Sequence, residues 1–396
     1  MKDLKSYIQQ LNKYNAAYKL SESEKAELLQ LDAEYGKLCE EFWYKWDRTD
    51  CKNLDEEFDK FLKARKEGKK YFPQLQLVKD ELDITWLERV NILKTKFLTF
   101  DCFLSKYYIE NLDHLYKQVN MTLHKDDPFI VAEYNNIMCV PVSDEDYEYA
   151  WKLIKEHPYE DKREEQPYRG KDVVDMMKSH MDKRQYGFNI ELNPYMIARQ
   201  NVEPHNKTLH IKTSGYFSDL DVESLRIHEI DVHVARRFYG FKTGLNLFVY
   251  GLKYCNKLDE GSAINQSLHY NKFGVKPNLE FDIAIKTVIG RHIIEKDFCE
   301  LYDMLIDKIT TEQNKNIIES ILFKNLCRFK RVLCDCSRPG GDGCGETDYL
   351  CGYRIVHKMS DSMKKDIITY SIGEQHIKDL PDIKKFFKTN KFESLI

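Results

Sequence analysis

Two short segments carry the residue types of a hydrolytic metal centre: RIHEIDVHVARR at 226–237 and LDEGSA at 258–263. His228 and His233 offer two imidazoles, Glu260 offers a carboxylate, and Glu229 stands beside the first histidine as a second carboxylate free to act as a base. Three protein ligands, an open position for water and a nearby proton acceptor are what a catalytic zinc ion requires. In the common HExxH pattern a four-residue gap leaves the imidazoles only about 40° apart around an α-helix. Here the gap is five, and a regular helix would set His228 and His233 about 140° apart, too far for one ion. A local i→i+5 turn brings them back to roughly 50°, and such bulges favour functional sites. The spacing therefore predicts a distorted helix between Arg226 and Arg236.

Glu260, 27 residues after His233, is expected on the first turn of the next helix, folded back through the KTGL turn at 242–245. Gly261 would let the backbone pass close to the ion. Glu229 is the expected general base, taking a proton during attack on a carbonyl and returning it to the leaving amine. Asp231 or another acid is the candidate to orient a ligand imidazole from behind.

These residues need a scaffold, and the chain supplies an α+β one that is mostly helical. Residues 1–125 read as helices, with Ser21 or Ser23 capping a helix from Glu24 to Tyr44, a second over 54–66, and a buried helical face over 81–117. From about 126 the texture changes, so a boundary is set there between a helical N-terminal region (1–125) and a catalytic domain (126–396). FIVAE (129–133) and IMCVPV (137–142) read as strands, and 143–155 as a helix capped by Ser143. The polar stretch 157–172 reads as a loop. FNIELN (188–193), MIARQNV (196–202) and TLHIKT (208–213) form a small sheet just before the metal motif. Helices follow over 221–239, 258–270, 279–309 and 311–332, then a Gly- and Cys-rich loop over 334–348, and helices again from Ser360.

Composition excludes several classes. With 42% apolar and 32% charged residues and a net charge of −4, the chain is an ordinary globular protein with no global field for nucleic acid or acidic membranes. No apolar run approaches the roughly 18 residues of a spanning helix. Eleven cysteines without a secretion signal read as reduced thiols in the cytoplasm.

HEIDVH (228–233), Arg236, Gly240, LNLFVYGL (245–252) and DEGSA (259–263) together resemble the tyrosine carboxypeptidase family, grouped by HEIGTH and QEGLA motifs. ETDYLCGYRIV (346–356) is similar to its KDxxYLxG segment, and YSIGEQHIKDL (370–380) to its closing helix turn. The likeness is dense over 188–275, patchy to 385 and faint before 125. It implies a zincin-like metallopeptidase core holding one catalytic Zn2+ on His228, His233 and Glu260, with Glu229 catalytic. It implies hydrolysis of the C-terminal peptide bond of a protein or peptide by Glu229-assisted attack of a metal-bound water. The tubulin tail is the candidate partner and tyrosine the candidate leaving residue. Asp231 and Val232 depart from the family's Gly and Thr, KTGL from its Gln-Pro turn, and Ser262 from its Leu. An aminopeptidase or endopeptidase on the same site, or a non-catalytic metal-stabilised scaffold, are the alternatives.

A carboxypeptidase must also neutralise a terminal carboxylate, most naturally with a forked cation. Arg236 matches a family arginine, with Arg199, Arg237 and Arg354 as alternatives. Tyr349 matches a family tyrosine whose phenol could donate to an oxyanion. Cys334, Cys336, Cys344 and Cys351 are candidates for a second, structural metal, although they lack paired CxxC knuckles. The basic run 60–70 reads as a solvated helix end, with a docking patch for an acidic partner as the alternative.

Overall fold

The protein is described by a computed structural model covering residues 18–390, apart from 47–49, 79–80, 131, 134–141, 161–164, 275, 312–313, 332–334 and 342; of Trp46, Gly343 and Cys344 only the backbone is described. Helices dominate. The N-terminal region supplies α1 (Glu22–Trp46), α2 (Leu54–Lys66), α3 (Ile84–Thr99) and α4 (Ser105–Leu123). Ser21 caps α1, its Oγ accepting from Glu24 N at 3.3 Å while Glu24 Oε2 accepts from Ser21 N at 2.7 Å, a reciprocal pairing that satisfies two orphan donors. The 81–117 face is divided between α3 and α4 by a turn at 100–104.

After α5 (Asp144–Glu156), capped by Ser143, comes β1 (Tyr168–Arg169), so the expected loop over 157–172 ends in a strand. It leads into α6 (Gly170–Arg184), a helix the sequence reading does not contain. The expected strand at 129–133 is corrected: Pro128–Ile130 and Ala132–Glu133 are helical, and most of its expected partner, 137–142, lies outside the described residues.

The small sheet is present. It comprises β2 (Asn189–Asn193), β3 (Gln200–Glu203) and β4 (Thr208–Lys212) in the order β2-β4-β3, with β2 parallel and β3 antiparallel to β4. A second ladder pairs β1 with β5 (Tyr216–Phe217). Directly after β5, Ser218 and Asp221 form a capping box that starts α7 (Asp219–Leu225). The sheet thus aims the chain into the metal motif.

That motif is a nine-residue π-turn, Arg226–Val234, continued by α8 (Ala235–Lys242). The predicted distortion falls where the five-residue histidine spacing requires it. The chain returns through α9 (Asn246–Tyr250) to α10 (Cys255–Tyr270). Then follow α11 (Leu279–His292), α12 (Phe298–Ile309), α13 (Lys315–Lys330), α14 (Gly343–Val356), α15 (Asp361–Tyr370) and α16 (Leu380–Asn390). Two expectations change here. The single helix over 279–309 is two, because Asp297 and Glu300 form a capping box that starts α12 anew. The expected 334–348 loop holds over the described residues 335–341, but 343–348 is the start of α14.

Three apolar cores surround the motif. One joins α1, α3 and α4 to α9, α15 and α16, and another joins α2 and α5 to α11–α14. The third packs α6 and the sheet against Ile230 and Val234 of the π-turn. The N-terminal helices therefore do more than pad the fold. Buried Asp32 of α1 accepts from Asn246 N at 2.8 Å and Leu247 N at 3.1 Å, capping α9 from outside. Asn111 of α4 donates to Gly251 O at 2.8 Å and accepts from Lys253 N at 2.7 Å. Both contacts fix the connection that carries Glu260 back to the histidines.

Candidate functional site

The π-turn brings His228 and His233 together edge to face, their ring centroids 4.8 Å apart. Glu260 comes from the second turn of α10, one turn later than expected. Its Oε2 lies 3.3 Å from His228 Nε2 and 3.5 Å from His233 Nε2. A tetrahedral ion about 2.0–2.1 Å from nitrogen and oxygen ligands spaces those ligands about 3.3–3.4 Å apart. Glu260 Oε2 is also buried without a hydrogen-bond partner, an expensive condition unless something else satisfies it. Two imidazole nitrogens and an orphaned carboxylate oxygen at ligand–ligand spacing fit a divalent cation such as zinc.

Glu229 is the second carboxylate of the cluster. His228, Glu229 and His233 present ligating atoms within 4.8 Å of one another, so Glu229 is itself a geometric candidate for the third ligand. Glu260 is the better one, because its oxygen is nearly equidistant from both Nε2 atoms, whereas Glu229 Oε1 stands back at 3.8 Å from His228 Nε2. Glu229 is thereby left beside the cluster, buried to 5% exposure.

Electrostatics knit the group together. Burial alone would raise the Glu260 carboxyl, but the imidazoles of His233 and His228 outweigh it and hold it well below the usual range. Burial alone would lower His233, and the carboxylates of Asp259 and Glu260 reverse that. Asp259 is the residue that sequence reasoning missed. Its Oδ2 accepts from His233 Nδ1 at 2.9 Å and from Arg236 Nη2 at 2.9 Å, which turns His233 Nε2 towards Glu260. A carboxylate behind a ligand imidazole is the usual support for a metal site, and its place immediately before Glu260 was the available signal. Asp231, expected in this role, instead pairs with Arg226, Arg184 and His180 on the opposite side of the turn.

The helix behind the site is α14. A Cβ on Gly261 would run into the backbone of Gly352, and one on Gly352 into Lys257 O. Gly261 thus serves a close helix crossing, not passage past an ion. The crossing sets Tyr349, one turn before Gly352, with its ring 6.4 Å from that of His228 and nearly parallel to it. Burial and the Glu260 carboxylate raise the Tyr349 phenol well above its usual range, so it stays protonated.

The four candidate carboxylate receptors are each committed to other partners. Arg236 is 2% exposed and committed to Asp259 and Cys255 Sγ. Arg199 pairs with Asp221 at 2.8 Å. Arg354 pairs with Glu145 and Asp146 and lines a cavity of about 600 Å³ that includes none of the cluster residues. Arg237 donates to Val249 O at 2.5 Å in the interior. Of the candidate cysteine site, Cys334 and the side chain of Cys344 lie outside the described residues. Cys336 is buried near Cys327, and Cys351 lies beside Asp146, where burial pushes its thiol up to about 12. The basic run is largely neutralised: Lys60 pairs with Glu56 and Glu57, Arg65 with Asp303, and Lys69 with Glu67.

Geometry alone thus defines a mostly helical protein in which an N,N,O donor set and a second carboxylate converge at a π-turn. A family model described as microtubule-associated tyrosine carboxypeptidase matches residues 101–316, and the chain belongs to that family. Membership implies a peptidase of the carboxypeptidase type. No curated protein matches the sequence. Among the described residues no helix is long and apolar enough to cross a membrane.

Proposed function

We propose that the chain is a cytoplasmic, zincin-like zinc carboxypeptidase that removes the last residue, tyrosine, from a protein C-terminus such as the tubulin tail. The observation that carries this reading is the convergence of His228 Nε2, His233 Nε2 and an unpartnered Glu260 Oε2 beside Glu229. His228, His233 and Glu260 would hold the ion, which supplies Lewis acidity, lowering the pKa of water and polarising a carbonyl.

The remaining work falls to the chain. Glu229 takes a proton from the attacking water and returns it to the departing nitrogen. Asp259 holds the His233 Nδ1 proton, so that Nε2 faces the cluster with its lone pair, and Arg236 keeps Asp259 ionised and in place. Tyr349, protonated, donates to the oxygen on which charge develops.

Glu229→Gln should retain zinc, read by elemental analysis, and lower turnover by about 10²–10⁴-fold. Activity left intact would remove Glu229 from the reaction. Peptides digested by the wild-type protein and read by mass spectrometry should lose single C-terminal residues; N-terminal trimming or internal cuts would replace carboxypeptidase with another peptidase class.

A further inference from the structure

Behind Tyr349 lies a set of buried charges that the reaction above does not use. Glu346, on α14 one turn before Tyr349, is 2% exposed. Lys286 of α11 meets its Oε2 at 3.0 Å, Arg328 of α13 its Oε1 at 2.9 Å, and Arg331 the same oxygen at 4.0 Å. Burial would raise this carboxyl, but the three cations bring it down to about 2. Lys286 and Arg328 share this one carboxylate. The next acid felt at both Lys286 and Arg328 is Glu260, already engaged by the imidazoles. Asp282, which also feels Lys286, is held upward by burial. Arg328 Nε is buried without a hydrogen-bond partner. Among the described residues Lys286 and Arg328 thus exceed the counter-charge that Glu346 supplies, and buried positive charge is costly unless an anion meets it.

The position of that surplus identifies the anion. Lys286 Nζ lies 3.8 Å from the centre of the Tyr349 ring, and Arg328 hydrogen-bonds the Tyr349 hydroxyl. The same ring lies 6.4 Å from that of His228. The donor cluster and Lys286 therefore lie against the same aromatic ring. In a peptide the terminal carboxyl carbon is only three bonds beyond the scissile carbonyl carbon, about 3 to 4 Å away. We infer that Lys286 and Arg328, held by Glu346 and Tyr349, form the receptor for the substrate's terminal carboxylate. This rests on the carboxypeptidase reading and replaces Arg236, Arg199 and Arg354, all of which are otherwise committed. Lys286 lies inside the segment shared with the family and Arg328 beyond it.

The test separates recognition from turnover. A short peptide ending in tyrosine, as free acid and as C-terminal amide, is titrated into the Glu229→Gln protein. The same titration is run after adding Lys286→Gln or Lys286→Met; melting temperatures report folding. The parent should prefer the acid by about 30-fold or more, the effect of losing one partner of a buried charge pair. Either folded variant should bring the acid down to the affinity of the amide and leave the amide unchanged. A folded variant that keeps the preference, or loses acid and amide equally, overturns the receptor. If the wild-type protein releases no C-terminal residue but the acid preference depends on Lys286, the receptor stands and hydrolysis falls. Clean C-terminal release without an acid preference gives the reverse.

Discussion

The π-turn carries two pairs of residues five apart, and they face opposite ways. His228 and His233 point towards α10 and α14, while Arg226 and Asp231 point towards α6, meeting at 2.5 Å. A regular helix would hold either pair about 140° apart, so both depend on the same widened register. The two faces use it differently. On the outer face the pair satisfies itself by direct charge contact, with Arg184 at 2.9 Å from Asp231 and Glu223 at 2.8 Å from Arg226 as additional partners. On the inner face the pair does not complete itself. It needs Glu260 from another helix, Asp259 to fix a tautomer and Arg236 to hold Asp259. An outer ion pair can staple a turn; an inner one becomes a site only when a second element is brought to it at the right distance.

The difference should be largest at Asp259. Asp259→Asn replaces the charged acceptor that orients His233 with a neutral amide and leaves Arg236 buried without its counter-charge. Loss of such a supporting carboxylate lowers metal affinity about 10- to 100-fold, and an orphaned buried charge destabilises by about 3–5 kcal/mol. Zinc competition and chemical denaturation measure the two losses. Affinity unchanged in a folded variant would reduce Asp259 to packing.

Gly352→Ala probes how the inner face is completed. Its added methyl meets Lys257 O, so α14 must move away from α10 and take Tyr349 with it. Overpacking of this kind costs about 1–3 kcal/mol. Zinc content should stay whole while kcat falls, since His228, His233 and Glu260 are not on α14. Loss of zinc together with activity would mean that the crossing supports the ligands themselves.

How legible each face was in the sequence follows from the same physics. The π-turn could be read because two imidazoles five apart cannot share an ion on a regular helix, so the chemistry dictated the backbone. The small sheet, the Ser143 cap and the helix over 54–66 followed from local patterns. The carboxylate that supports a ligand imidazole was assigned to Asp231 because spacing gives an angle around one helix, not the identity of the helix packed against it. Only the meeting of Gly261 with Gly352 decides that α10 and α14 cross at the site, and both glycines are silent in a hydrophobicity pattern. Arg236 looked like a substrate ligand for the same reason: an arginine on the motif helix is read as available until a partner such as Asp259 is placed beside it. The division at 292–298 was readable, since Asp297 and Glu300 form a capping box, but the apolar periodicity on either side masked it. Asp32 and Asn111 could not be read, because each acts on backbone groups more than 130 residues away.

The smallest effect is expected on the outer face. Arg226 and Asp231 are about one-fifth exposed, so their pair should couple by about 0.5–1 kcal/mol, near the top of the range for solvent-screened pairs. A double-mutant cycle of Arg226→Met and Asp231→Asn, read by denaturation, measures that coupling. Zinc affinity in Asp231→Asn should fall far less than in Asp259→Asn, because His228 and His233 remain held from the inner side by Asp259 and Glu260. The residual loss reports how much of the widened register is imposed from outside. If Asp231→Asn released zinc as readily as Asp259→Asn, the outer pair would be setting the turn and the inner contacts would merely be following it.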